Sequence, residues 1–199
     1  LHLRQFQLPQ FDDYPAGSFE AIQAARQAAR REAIGDVSDF VERAFYILAG
    51  SMIHDLYGLR TLLGRPERVV STEIWHDGRA TTTTLEYATG ARCVASWVDL
   101  ADLWDFKETL EVYGDDKRVL LSYPTGFARG ILSKVTIQGI DGGGRAYQQE
   151  PAVDWESAFV AELRHFHDCI VKGLPSRTSV ESARADIGLI IDIIKRYLG

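Results

Sequence analysis

At 199 residues, 46% of them hydrophobic, the chain is long enough for one domain with a real core, and its 25% charged residues are ordinary for a globular protein. A formal net charge of −6 without a basic cluster excludes nucleic acid as a partner, since its phosphates would be repelled. The apolar run Leu189-Ile190-Ile191 stops at Asp192, far short of a membrane span, and Cys93 and Cys169 make neither a CxxC pair nor a disulfide framework, so the expected compartment is the cytoplasm.

Residues 1–17 read as irregular, with Pro9, Pro15 and Gly17. The chain opens on Leu1 without a secretory pattern, and is expected to be a fragment of a longer polypeptide. Ser18 can cap a helix predicted over 19–33 and ended by Gly35. Residues 36–47 are expected to be an extended strand. Residues 50–64 then predict a helix, because Met52, Leu56, Leu59 and Leu63 recur at helical spacing on one face. Gly64 and the following Arg65-Pro66 stop it.

Five strands are predicted over 68–75, 80–87, 92–98, 106–113 and 132–140, all rich in Val, Ile, Thr and aromatics. Asp77-Gly78, Thr89-Gly90 and Gly114-Asp115-Asp116 supply turns too short for parallel crossovers, so the strands should pair antiparallel. Two helices follow, one with the stripe Trp155, Phe159, Leu163, Phe166 and Ile170, the other with Val180, Ala183, Ile187, Ile191, Ile194 and Leu198. Strands followed by helices without βαβ alternation predict an α+β fold: an open-faced, mainly antiparallel sheet with helices packed on one face, forming a single domain over 18–199. Trp75, Tyr87 and Trp97 are expected on or near the uncovered face, which predicts a homodimer through it.

His54 is the best candidate for chemistry. It projects opposite the apolar stripe, and its neighbours at i−4 and i+4 are Gly50 and Gly58. A glycine costs about 1 kcal/mol against alanine inside a helix, so two around one histidine imply close approach of a ligand or of another backbone. A histidine there can relay a proton near neutral pH, or can serve as a hydrogen-bonded structural residue. Tyr57, on the adjacent helix face, is a hydrogen-bonding partner or a packed aromatic, and Arg60 is expected to face solvent or a carboxylate at a sheet edge. The loop carrying Asp99, Asp102, Trp104 and Asp105 can wall a sugar site, with a loop packed back by Leu103 and Trp104 as the alternative. His165 shares a helix face with Cys169, but no full ligand set accompanies them and no metal site is expected. No G-x-G-x-x-G or P-loop is present, so no cofactor-binding residues are assigned, and Gly142-Gly143-Gly144 reads as a hairpin loop.

The stretch Ile53-His54-Asp55, followed by Leu59-Arg60-Thr61-Leu62-Leu63-Gly64-Arg65-Pro66-Glu67-Arg68-Val69, resembles the C-terminal domain of the Gfo/Idh/MocA oxidoreductases, the glucose–fructose oxidoreductase and inositol dehydrogenase group. Ile34-Gly35-Asp36-Val37 resembles that family's turn into its first long strand. Phe159 to Pro175, with Ser179-Val180-Glu181-Ser182-Ala183-Arg184, resembles its two closing helices. The resemblance implies a substrate-binding and oligomerisation domain acting on a sugar, inositol or similar polyol, with NAD or NADP held by an N-terminal Rossmann domain that this chain lacks. It implies His54 as the proton relay, with Tyr57, Asp99, Asp102 and Trp104 placing the substrate. In that family the histidine is preceded by an aspartate four residues earlier and often followed by another three residues later. Gly50 and Tyr57 stand at those positions here, which leaves open a non-catalytic ligand-binding or dimerisation module of the same fold.

Overall fold

The computed structural model describes residues 17–100, 102, 103 and 105–199, so the irregular segment expected over 1–17 lies outside them except for Gly17. The elements run α1 (Ser18–Ile34), α2 (Asp39–Ile47), a π-helical turn (Leu48–Met52), α3 (Ile53–Leu63), β1 (Arg68–Trp75), β2 (Ala80–Glu86), β3 (Arg92–Val98), β4 (Glu108–Tyr113), β5 (Lys117–Tyr123), β6 (Lys134–Ile140), β7 (Ala146–Gln149), α4 (Ala158–Lys172) and α5 (Val180–Leu198). They fall into two units, one of residues up to 99 together with 180–199, the other of residues 100–179. The fold is α+β, but its strands form two antiparallel sheets, β1-β2-β3 and β4-β5-β6-β7. No helix among the described residues is long and apolar enough to cross a membrane.

In the first unit the strand expected over 36–47 is replaced by α2. Val41, Ala44, Phe45 and Leu48 recur at helical spacing and all four are buried, a periodicity that the strand-favouring cluster Phe45-Tyr46-Ile47 masks in the sequence. The helix does not end at Ile47. It passes through the π-helical turn straight into α3, so the His54 helix begins at Asp39 rather than at Gly50. Val41, Phe45, Leu48, Met52, Leu56 and Leu59 make one buried stripe along the whole of it.

The β1–β2 hairpin is docked on α2. His76 and Asp77, in the four-residue connection between Trp75 and Ala80, both adopt a φ of 53°, in the left-handed region. Gly78 follows at φ 76°, and a Cβ there would lie 2.0 Å from the carbonyl oxygen of Phe40, so only glycine fits. Arg43 donates to the Asp77 carbonyl oxygen at 2.6 Å and also pairs with its carboxylate.

One face of the three-stranded sheet, with Thr72, Ile74, Thr81, Thr83 and Leu85, is buried, and α5 packs against β1. Leu189, Ile190, Ile193 and Ile194 are the buried apolar residues of α5. The stripe predicted for this helix is therefore rotated: of its six residues only Ile194 is buried, while Val180 and Leu198 are exposed. A bulge between Val69 and Ser71 leaves Val70 out of the ladder register, and Arg196 of α5 donates to its carbonyl oxygen at 2.9 Å.

Two of the three aromatics expected on the open sheet face are elsewhere. Tyr87 is 2% exposed, and Trp97 lies opposite Thr81 in the ladder, which puts its side chain on the helix-covered face. Trp75 is on the open face, in one cross-strand row with Ala80 and Val98, and is half exposed.

In the second unit, β4 and β6 begin two residues later than expected, at Glu108 and Lys134. β5 and β7 were not anticipated by the alternation pattern: β5 places Val119, Leu120 and Leu121 in succession, and β7 is four residues long and mostly polar. Among the described residues of this unit none is buried. The α4 stripe of Phe159, Leu163, Phe166 and Ile170 is exposed, with Phe127 against Phe159 at 5.7 Å between ring centroids.

Burial pushes the Tyr87 hydroxyl from its usual pKa of 10.0 up to about 12. A raised folded-state value means that the contribution is fully present below the unfolded pKa and is lost as pH rises through the folded one. Urea unfolding of the parent should therefore weaken between about pH 10 and pH 12, and Tyr87→Phe should remove the Tyr87 part of that loss. Equal alkaline slopes in parent and variant would contradict the burial.

Candidate functional site

Three residues at successive three-residue steps of α3 carry the site: His54, Tyr57 and Arg60. Three residues on a helix advance about five-sixths of a turn, so the three side chains spiral from the open side of α3 toward α5. His54, at the start of α3, is exposed and makes no hydrogen bond or ion pair to a described residue. The π-helical turn directly before it contains Gly50 and Ser51. A π turn inserts one residue into a helix and re-aims the side chains beyond it, and such turns are frequent at functional sites.

The two glycines around His54 are not explained by another backbone among the described residues. A Cβ built at Gly50 or Gly58 would meet nothing within 4 Å. The strip Gly50–His54–Gly58 is thus open along one side of the helix. Tyr57 is half-buried beside it, and its carbonyl oxygen accepts a hydrogen bond from the Thr61 hydroxyl at 3.0 Å.

Arg60 does not face solvent or a sheet-edge carboxylate. Its Nε donates to Asp186 Oδ1 at 2.7 Å and its Nη2 to Asp186 Oδ2 at 3.0 Å, a two-pronged pair between α3 and α5. Nη2 also donates to Ser182 Oγ at 2.6 Å. The hydrogen bond to Asp186 raises the pKa of the guanidinium above its usual value, against the opposing pull of burial. The guanidinium carbon lies 5.5 Å from the centre of the Tyr57 ring, within cation–π range. Asp186 is 4% exposed. Neither it nor Ser182 was singled out from the sequence, although one signal was present: Asp186 falls on the same helix face as Leu189, Ile190, Ile193 and Ile194, and an acid on an apolar face needs a partner.

Asp99 follows β3 in the first unit, with its backbone N–H donated to the Arg79 carbonyl oxygen at 2.8 Å. Asp102 is exposed and belongs to the second unit, and Trp104 lies outside the described residues. On α4, His165 Nε2 accepts the Arg177 backbone N–H at 3.0 Å and stands 3.5 Å from Cys169 Sγ. Among the described residues no group of three His, Cys, Asp or Glu side chains could hold a metal ion. Where a strand leads into a helix, from β7 to α4, the connection Glu150-Pro151-Ala152-Val153-Asp154-Trp155-Glu156-Ser157 has no glycine to admit a pyrophosphate.

No protein-family profile matches the chain, and no curated protein matches it. Solved structures do share its fold. An oxidoreductase from Bacillus cereus superposes with a TM-score of 0.57 at 14% identity, over 72% of this chain and 55% of that one. UDP-N-acetylglucosamine 3-dehydrogenase from Acidithiobacillus ferrooxidans gives 0.57 at 13% identity, over 73% and 45%. Biliverdin reductase from Synechocystis, solved with biliverdin and NADP+, gives 0.52 at 14% identity, over 75% and 46%. The fold of this chain is therefore one that oxidoreductases use, and the superposed part spans about half the length of those structures.

Open space at Gly58 has a measurable consequence. Gly58→Ala should raise stability by up to about 1 kcal/mol, the usual gain of alanine over glycine in a helix. Urea unfolding of the variant checks this, and a loss of stability would mean that the strip is covered.

Proposed function

We propose that the chain is the substrate-binding and oligomerisation domain, residues 18–199, of an NAD(P)-dependent oxidoreductase of the Gfo/Idh/MocA type acting on a sugar, inositol or similar polyol. The observation that carries this is the open strip Gly50–His54–Gly58 on a fold shared with oxidoreductases. In this reading the nicotinamide is held by a separate dinucleotide-binding domain. What this domain contributes is a bare helix side against which a polyol can lie, and an imidazole that takes the proton of the substrate hydroxyl as its carbon is oxidised. Tyr57, beside His54, stands where the family has a carboxylate and offers a hydroxyl to the substrate instead. The working form is a homodimer through the open sheet face, and exposed Trp75, Val94 and Val98 on that face support this.

A second reading draws on one specific feature. With Gly50 and Tyr57 at the carboxylate positions and no described partner for His54, the same strip serves a ligand-binding module without chemistry. One experiment separates the two. In the full-length protein, screened for polyol-dependent reduction of NAD or NADP, His54→Ala should lower turnover about a hundredfold or more while leaving the thermal melt unchanged. Equal turnover in variant and parent would remove His54 from the mechanism and leave the binding-module reading.

A further inference from the structure

The contact between Arg60 and Tyr57 links the buried interface of α3 to its open side. Arg60 is held by three hydrogen bonds to α5, at 2.7 and 3.0 Å to Asp186 and 2.6 Å to Ser182. A guanidinium fixed at both prongs is a rigid plate rather than a mobile charge. The Tyr57 ring sits 5.5 Å from that plate, and His54 is three residues before Tyr57, its neighbour on the helix surface. The ring is thus located by α5, through Arg60, and not only by its own helix.

We propose that Arg60 and Asp186 are positioning residues that fix the Tyr57 ring beside His54, so that its hydroxyl is preset to receive a substrate hydroxyl. The proposal rests on the reading of α3 as the substrate helix. Without Arg60 the ring would have to be ordered by the substrate on binding, and ordering one such side chain is worth about three- to tenfold in affinity. Lysine at position 60 can keep the charge beside Asp186. It has neither the fork that meets two carboxylate oxygens nor the flat face that meets an aromatic ring.

The test uses Arg60→Lys, Tyr57→Phe and the double variant in the full-length protein, with tyrosines replaced by 3-fluorotyrosine for fluorine NMR. The Tyr57 resonance is assigned by its loss in Tyr57→Phe. Arg60→Lys should shift or broaden that resonance without substrate, and should raise KM about three- to tenfold with the loss falling on KM rather than kcat. The double variant should be no worse than Tyr57→Phe alone, because both act through one ring. An unmoved resonance in a folded Arg60→Lys protein, or losses that multiply in the double variant, would overturn the positioning role. Where Arg60→Lys does not fold, Ser182→Ala, which removes one of the three hydrogen bonds, takes its place under the same criteria. The NMR result stands without turnover, so a failure of the dehydrogenase reading, seen as unchanged turnover in His54→Ala, is distinct from a failure of this one.

Discussion

The ion pair between Arg60 and Asp186 is the constraint on which the arrangement of α3 depends. Asp186 is nearly sealed, and an isolated carboxylate there would carry a desolvation cost of several kcal/mol; two charge-assisted hydrogen bonds from Arg60 offset it. The pair joins residues 126 positions apart and sets the rotation of α3 about its own axis. Once Arg60 is turned to α5 and Leu56 and Leu59 to the core, His54 has only the outward side left. The exposure of the histidine is therefore a consequence of what the other side of the helix must bury.

The π-helical turn accommodates the same demand from the other end. α2 and α3 belong to one helical run whose buried stripe has to stay in register from Val41 to Leu59. The additional residue is absorbed at Leu48–Met52, where Leu48 and Met52 remain buried and Gly50 is exposed. Gly50 and Gly58 then keep the outward side free of side chains on both sides of the imidazole. Helix packing and site geometry are thus two results of one pattern of burial.

Much of this was legible in the sequence, for physical reasons that differ by element. The first three strands could be read because their β-branched and aromatic residues alternate between turn signals, and the buried row of Thr72, Ile74, Thr81, Thr83 and Leu85 follows that alternation. The apolar spacing of α3, and the bareness of its histidine, were also plain. α2 was not, because a short helix of Phe, Val, Tyr and Ile has the composition of a strand, and only its three-and-four spacing gives it away. Trp97 and Tyr87 were misplaced because which face a strand residue occupies depends on register, which composition does not fix. The Arg60–Asp186 pair is a contact of tertiary structure, and no local pattern around Arg60 announces it.

The two units differ in what they bury, since the buried residues belong to the first and the second exposes the apolar stripe of α4. The claim that α3 is set by its tie to α5 therefore concerns the first unit and can be tested by stability alone. The most direct measurement is a double-mutant cycle with Arg60→Met and Asp186→Leu, read by urea unfolding at neutral pH. Each single variant leaves one charge without its partner, whereas the double variant leaves none. The account predicts that the double variant is more stable than the sum of the single losses by about 1–3 kcal/mol. Additivity within about 0.5 kcal/mol would contradict it.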